Sequence, residues 1–435
     1  MEKISAYFKF NKVGQGCFYN GRISVSKKVH FNFVYDCGSH STRDYLYDEI
    51  EKYKEKYLSQ KMLNMLIISH FDEDHVNGIW NLLENIHCQV VIMPYLFPIE
   101  RLLLYIAYYN DNNSLKDDPD DNYRQFLLDP IKFLFDKFEI ERIILIGGSD
   151  KDNFDKENIK NPNLPVNNEF NESFKNWYVN INDEEDIELR DKVFDNEKIN
   201  DDHKSKLKFI NQTKAIYLYY LWEFRFLHWE FRNSQVIKFE KTLDEYLKKK
   251  IFNTKRELFT EENRKEIREI YRKHFNRLNS TSLVVYHAPL QANFNKLHTA
   301  ICINYPYYSD EYFYNDDFPP CNCCFKHSHS GTLLTGDSDL KAKIRHDRLY
   351  NYFNDVWENI YVFQVPHHGS KYNWYKKRDS KLLKFDCYII NYGLGNKHKH
   401  PSESVVDQIT KSNERLLFLN SQTNSLCYSI FNINY

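Results

Sequence analysis

Short apolar runs separated by polar and glycine-bearing stretches set the rhythm of the chain. Between Tyr7 and Asp36 they predict two or three strands: Tyr7–Phe10, a turn at Val13–Gly16, then Cys17–Tyr19 and Phe31–Tyr35, with Asp36 at the tip of the last. Asp44–Leu58 reads as a helix, Met65–Ile68 as a buried strand, Val76–Leu83 as the start of a second helix, and Val90–Met93 as a strand ending at Pro94. Strands alternating with helices predict a layered α/β fold. From about Leu102 to Leu278 the pattern changes to charged, helix-leaning stretches broken by Asn/Asp-rich segments, which reads as a large, mainly helical insertion. Within it, the aromatic run Tyr217–Phe231 alternates in a strand-like way beyond Trp222. The core resumes at Ser282–Tyr286 and continues through Ala300–Ile303, Thr332–Thr335, Ile360–Phe363 and Cys387–Ile390. Three parts follow: 1–100, 101–278 and 279–435.

At 435 residues, 42% hydrophobic and 28% charged, the chain can bury a large core. A formal net charge of −2 gives no global attraction for nucleic acid or membrane, so any such affinity must be local. Lys238–Arg277, with 13 Lys/Arg against 8 Asp/Glu, is the basic stretch, read as a helical pair whose charged face is more commonly solvated than a phosphate track. The aromatic run could stack bases, but in a chain that is 16% aromatic it reads better as core. With no window near about 18 consecutive apolar residues, a soluble cytoplasmic protein with no membrane partner is expected. Nine cysteines, odd in number and mostly scattered, predict reduced thiols. Cys321, Cys323 and Cys324 with His327 and His329 have zinc-site residue types without the usual paired spacing; the alternative is a reduced loop beside the active site.

His70-Phe71-Asp72-Glu73-Asp74-His75 packs four metal-binding side chains into a strand-to-helix loop. Imidazole plus carboxylate suits Zn²⁺, Mn²⁺ or Fe²⁺, and two ligand pairs this close can each serve one ion of a pair. Three further signals each follow a predicted strand: Thr335-Gly336-Asp337, Val365-Pro366-His367-His368-Gly369-Ser370 and Gly395-Asn396-Lys397-His398-Lys399-His400-Pro401. Strand ends converging on one edge are how an α/β layer builds a site. Asp36 is expected to support the ligands as a buried carboxylate rather than to be one.

Together with Val13–Gly16, Val34–Gly38, Ser69–Gly78 and Asn279–Val284, these motifs resemble, in the family's order, the metallo-β-lactamase fold superfamily. Within it the chain is most similar to the soluble domain of ComEC-type competence proteins and their stand-alone relatives, over roughly 1–98 and 279–425. The resemblance implies a four-layer αββα sandwich holding two divalent metal ions, zinc or manganese. His70 and Asp72 would then bind one metal, Asp74 and His75 the other, Asp337 both, and His400 the second. Asp74, His367 and His368 would be catalytic, with Ser370 and Asn396 at the substrate, although one of His367 and His368 could trade places with His400. Asp72 stands where many members carry His, which shifts preference toward Mn²⁺ or Mg²⁺. The family's middle histidine has no motif here; His228, His287 or water are the candidates.

Three functions are open at this stage. One is a metal-dependent phosphodiesterase, foremost a nuclease on DNA or RNA; such a stand-alone enzyme needs restraint, which suggests a bacterial defence effector with a partner protein on the insertion. The second is a small-molecule hydrolase (of a phosphoryl ester, cyclic nucleotide, lactone or amide) with the insertion as a lid. The third is a non-catalytic regulatory module.

Overall fold

The computed structural model describes residues 4–25, 29–111, 121–148, 179–180, 185–212, 215–218, 221–229, 233–249, 261–274, 282–290, 297–303, 329–377, 380–411 and 415–432. The first part forms β1 (Ile4–Phe10), β2 (Gly16–Val25), β3 (Val29–Ser39), α1 (Arg43–Tyr57), β4 (Met62–Ile67), α2 (Glu73–Val76), α3 (Ile79–Leu83) and β5 (His87–Pro94). Next come α4 (Pro98–Asp111), α5 (Asp121–Leu128), α6 (Pro130–Lys137), β6 (Ile140–Gly147), β7 (Val179–Asn180), α7 (Ile187–Asn196) and α8 (Asp201–Ser205). They are followed by β8 (Leu207–Asn211), β9 (Ala215–Leu218), β10 (Trp222–Leu227), α9 (Asn233–Lys249) and α10 (Glu261–His274). The last part carries β11 (Val284–Pro289), β12 (Leu297–Ile303), β13 (Gly331–Leu334), α11 (Lys343–Tyr352) and β14 (Ile360–Gln364). It ends with β15 (Cys387–Asn391), α12 (Glu403–Thr410), β16 (Leu416–Asn420) and β17 (Leu426–Asn432).

Among the described residues the strands make two sheets, in the orders β12-β17-β1-β2-β3-β4-β5-β6-β8 and β16-β15-β14-β13-β11-β10-β9-β7. The run Met65-Leu66-Ile67-Ile68 shows why so many strands are continuously apolar. Met65 and Ile67 enter an apolar layer shared with Trp222, Phe224, Val285 and Leu334 of the other sheet. Leu66 and Ile68 instead pack beneath α1, α3, α5 and α6. A strand buried on both faces needs apolar side chains on both. The second sheet is lined outside by Leu349 and Tyr352 of α11 and by Val405 and Ile409 of α12.

The segment read as a helical insertion contributes to both sheets: β6 and β8 extend the first, and β7, β9 and β10 extend the second. Position 100 falls inside α4. Trp222, Phe224 and Phe226 are buried between the sheets, which places the described part of that aromatic run in the core. Cys17, Cys37, Cys88, Cys387 and Cys427 are buried thiols outside any disulfide. Cys321, Cys323, Cys324 and His327 lie outside the described residues. No described helix is long and apolar enough to cross a membrane.

Candidate metal centre

Parallel pairing of β3, β4 and β5 brings their C-terminal ends to one edge, and the His70 loop grows from it. Gly16 and Gly38 let this loop lie against the β2–β3 hairpin. A Cβ on Gly38 would stand 2.6 Å from the Asp74 carbonyl carbon and the His75 nitrogen, closer than packed atoms approach.

Below the loop, Asp36 has a left-handed backbone (φ 54°) and is fully buried. Its carboxylate accepts from the Ser69 N–H at 2.7 Å, the Ser69 hydroxyl at 2.6 Å and His75 Nδ1 at 2.7 Å. Since the Ser69 hydroxyl donates to Asp36, it is left to accept from His70 Nδ1, 2.8 Å away. With both Nδ1 atoms carrying the proton, each Nε2 is turned toward the site. Both Nε2 atoms are buried without a hydrogen bond.

What they face is Asp337. The turn bearing it is held by Gln364, whose Oε1 accepts from the Thr335 and Gly336 amides, and by Ser282 Oγ, which accepts from the Asp337 amide. Oδ1 of Asp337 lies 3.3 Å from His75 Nε2 and 3.9 Å from His368 Nε2; Oδ2 lies 3.9 Å from His70 Nε2 and 3.5 Å from His367 Nδ1. Each oxygen thus serves a different pair of imidazoles. His70 Nε2 is also 3.7 Å from Asp72 Oδ2, and His368 Nε2 is 3.2 Å from Asp74 Oδ2. Three groups result whose ligand-type atoms lie within 4.8 Å of one another; His70–Asp72–Asp337 and Asp74–His75–His368 could each hold an ion, while the third, Asp36–His70–His75, draws on the Asp36 carboxylate that already accepts from Ser69 and His75.

The protonation energetics suit cations. Burial pushes His70 down to about 3, helped by the charge on His75, so its ring is neutral. Burial, then Asp74 and Asp337, push Asp72 up to about 7, the mark of crowded negative charge. For Asp337 burial acts upward, but His367, His368 and His75 outweigh it and hold the carboxyl well below its ordinary range. His75 goes up against burial because Asp36 and Asp337 flank it. A divalent ion held at His75 would displace that proton, so binding and proton release are linked.

The structure brings His70, Asp72, Asp74, His75, Asp337, His367 and His368 together, with Asp36 bonded beneath them. His400 is beside them, its ring centroid 5.8 Å from that of His367 and 6.4 Å from that of His368, but it joins none of these groups. His368 takes the place expected of His400. The cause is the turn: His367 and His368 both have positive φ (49° and 54°), and His368 Nδ1 bonds the Asn391 carbonyl at 2.9 Å, which turns Nε2 to Asp74. Consecutive non-glycine residues in this region cost on the order of 1–3 kcal/mol each and persist where surroundings impose them.

The other expected residues lie outside these groups. Asn396 bonds the backbone of Gly393 and His400. Ser370 Oγ accepts from the Tyr372 amide, so both side chains, expected at the substrate, also brace the backbone of their loops. His287 bonds Tyr19 at 2.8 Å among Phe8, Phe33 and Phe224, and His228 is buried beyond β10; neither joins the ligand-type groups. His329 is 3.4 Å from Asp386.

One residue carries no sequence motif. His40 sits 3.2 Å from Glu73 and 3.6 Å from Asp74 with its side chain half exposed; against the cost of burial, Asp74 and Glu73 raise it to about 9. The available signal was Gly38, because a missing Cβ there packs the end of β3 on Asp74.

Residues 29–137 match the family model of the metallo-beta-lactamase superfamily. The matched stretch contains Asp36 and the His70–His75 loop, and it points to a metal-dependent hydrolase in general terms. No curated protein matches the chain.

Proposed function

We propose that this chain, with its metallo-beta-lactamase superfamily stretch, is a dinuclear metal-dependent hydrolase of phosphodiester bonds that acts on nucleic acid. The two sheets and their three apolar layers fit a four-layer αββα arrangement, and the motif order resembles ComEC-type proteins. The observation that carries the reading is Asp337, whose two oxygens each face a different pair of imidazoles at 3.3–3.9 Å.

His70, Asp72 and Asp337 would hold one ion, and Asp74, His75 and His368 with Asp337 the other. When bound, such a pair lowers the pKa of water and offsets charge on a phosphoryl group. The chain's own work is to fix the spacing through Asp337, to orient His70 and His75 through Ser69 and Asp36, and to shield the cluster from bulk water. His367 and His400 lie beside the cluster without completing either ligand-type group. They are placed to contact a phosphoryl oxygen or to pass a proton to the leaving oxygen.

The test is an activity screen of Mn²⁺- and Zn²⁺-loaded protein on a chromogenic phosphodiester, single- and double-stranded DNA, and RNA. Cleavage that vanishes in Asp74→Ala supports the reading. Two bound ions with no turnover of any phosphodiester would refute it.

A further inference from the structure

The loop that follows His367-His368-Gly369 ends in an unusual surface residue. Tyr372 is 55% exposed, one of six exposed large hydrophobic side chains among the described residues. Lys341 Nζ and Lys371 Nζ stand over its ring, 5.3 and 5.2 Å from the centroid. Its turn is tied to the candidate metal centre: the Tyr372 amide bonds Ser370 Oγ, Asn373 Nδ2 bonds the Asp337 carbonyl at 3.2 Å, and the Leu340 amide bonds the Asn373 carbonyl at 2.9 Å. Ser402 joins it to the neighbouring loop, accepting from the Lys371 amide at 3.0 Å and donating its own amide to the Gly369 carbonyl at 3.0 Å.

That neighbouring loop carries exposed Leu394, Lys397 and Lys399, with the His398 ring stacked 5.7 Å from His400. None of Lys341, Lys371, Lys397 and Lys399 takes part in an ion pair among the described residues. The chain as a whole is slightly acidic, so Lys341 and Lys371 set local positive charge at an exposed ring, and Lys397 and Lys399 add more on the loop that leads into Ser402, which is bonded to the ring's turn. By contrast, the basic helices α9 and α10 pack on each other, and α10 packs on α4.

We infer that Tyr372, Lys341, Lys371, Lys397 and Lys399 form a landing surface for single-stranded nucleic acid, with a base stacked on Tyr372 and flanking phosphates on the lysines. A π-face accepts any base, and ammonium groups follow a backbone. A duplex keeps its bases stacked inside and offers Tyr372 only sugar and phosphate. This deepens the proposed hydrolase by naming its substrate class, and it rests on that reading for its purpose but not for its geometry.

The experiment is fluorescence anisotropy of the metal-loaded full chain with short, labelled, cleavage-resistant phosphorothioate oligonucleotides: single-stranded DNA, single-stranded RNA and duplex DNA. Single strands should bind more tightly than duplex, the two single-strand arms showing which sugar is preferred. Tyr372→Ala should weaken single-strand binding roughly tenfold, as loss of one base stack does, while Tyr372→Phe keeps it. Lys341→Ala with Lys371→Ala should shrink the slope of log affinity against log salt by about 1.4, or about 0.7 per lost phosphate contact. Unchanged binding in Tyr372→Ala, equal binding of duplex and single strand, or no binding at all overturns the inference. The hydrolase reading is judged separately on the small chromogenic diester: no turnover there with Tyr372-dependent strand binding sinks the hydrolase and leaves this surface standing.

Discussion

Asp36 Oδ2 and His75 Nδ1 lie 2.7 Å apart, entirely out of solvent, beneath the ligand cluster. The contact fixes the tautomer and rotation of an imidazole whose far nitrogen faces Asp337. Replacing Asp36 by Asn keeps size and a hydrogen-bond acceptor but removes the charge. Asp36→Asn should therefore weaken metal binding by about 10- to 100-fold, read by competition with a chelator, with far-UV dichroism unchanged. Wild-type affinity would show that His75 needs no such support.

Asp337 turns each of its two carboxylate oxygens to a different pair of imidazoles. Asp337→Ala should lower the metal content of the loaded protein below two per chain and abolish phosphodiester turnover while the fold survives, since its backbone amide and carbonyl keep their partners Ser282 and Asn373. Elemental analysis and dichroism on the same preparation check this. Full activity in the purified variant counts against the assignment.

His368 and His400 should behave differently. Loss of His368, 3.2 Å from Asp74, should cost metal occupancy. Loss of His400 should spare the metals and lower turnover. Metal stoichiometry of the two alanine variants decides, and the reverse pattern would restore His400 as the ligand.

His287 supplies a pH signature away from the metals. Burial lowers it to about 3, below its ordinary value, so it is neutral in the folded state and takes up a proton when the chain unfolds below about pH 6.5. Its contribution is full above that pH and is lost as pH falls from about 6.5 toward about 3, amounting to roughly 2 kcal/mol at pH 5. His287→Phe should cost about 1 kcal/mol at neutral pH through the lost Tyr19 hydrogen bond yet flatten the decline between pH 7.5 and 5. Urea midpoints at the two pH values measure it; parallel declines in both proteins would assign the acid sensitivity elsewhere.

The His70–His75 cluster was legible because its residues are contiguous and follow an apolar run, and Asp337 because a strand end and a tight turn frame it. The choice between His368 and His400 was not, since it depends on two successive left-handed residues and on the Asn391 carbonyl, 23 positions away. His40 was missed for a similar reason: its contact with Asp74 is made across the packed β3 end. β6 escaped notice because Ile143–Ile146, apolar on both faces, lies in a segment whose charge dominates its composition. The paired basic helices were readable, but the lysines nearest the site are single residues on separate turns, and only folding gathers them.

Strand β17 lies between β1 and β12, so the opening strand finds its outer neighbour only when residues 426–432 have been made. The ligands obey the same schedule, since His70 and Asp74 emerge from the ribosome long before Asp337 and His368. Such long-range closure is slow relative to local structure. A nascent or prematurely terminated chain that stops short of residue 337 therefore holds His70, Asp72, Asp74 and His75 without Asp337 and His368, and the candidate ligand set closes only across nearly 300 residues of sequence.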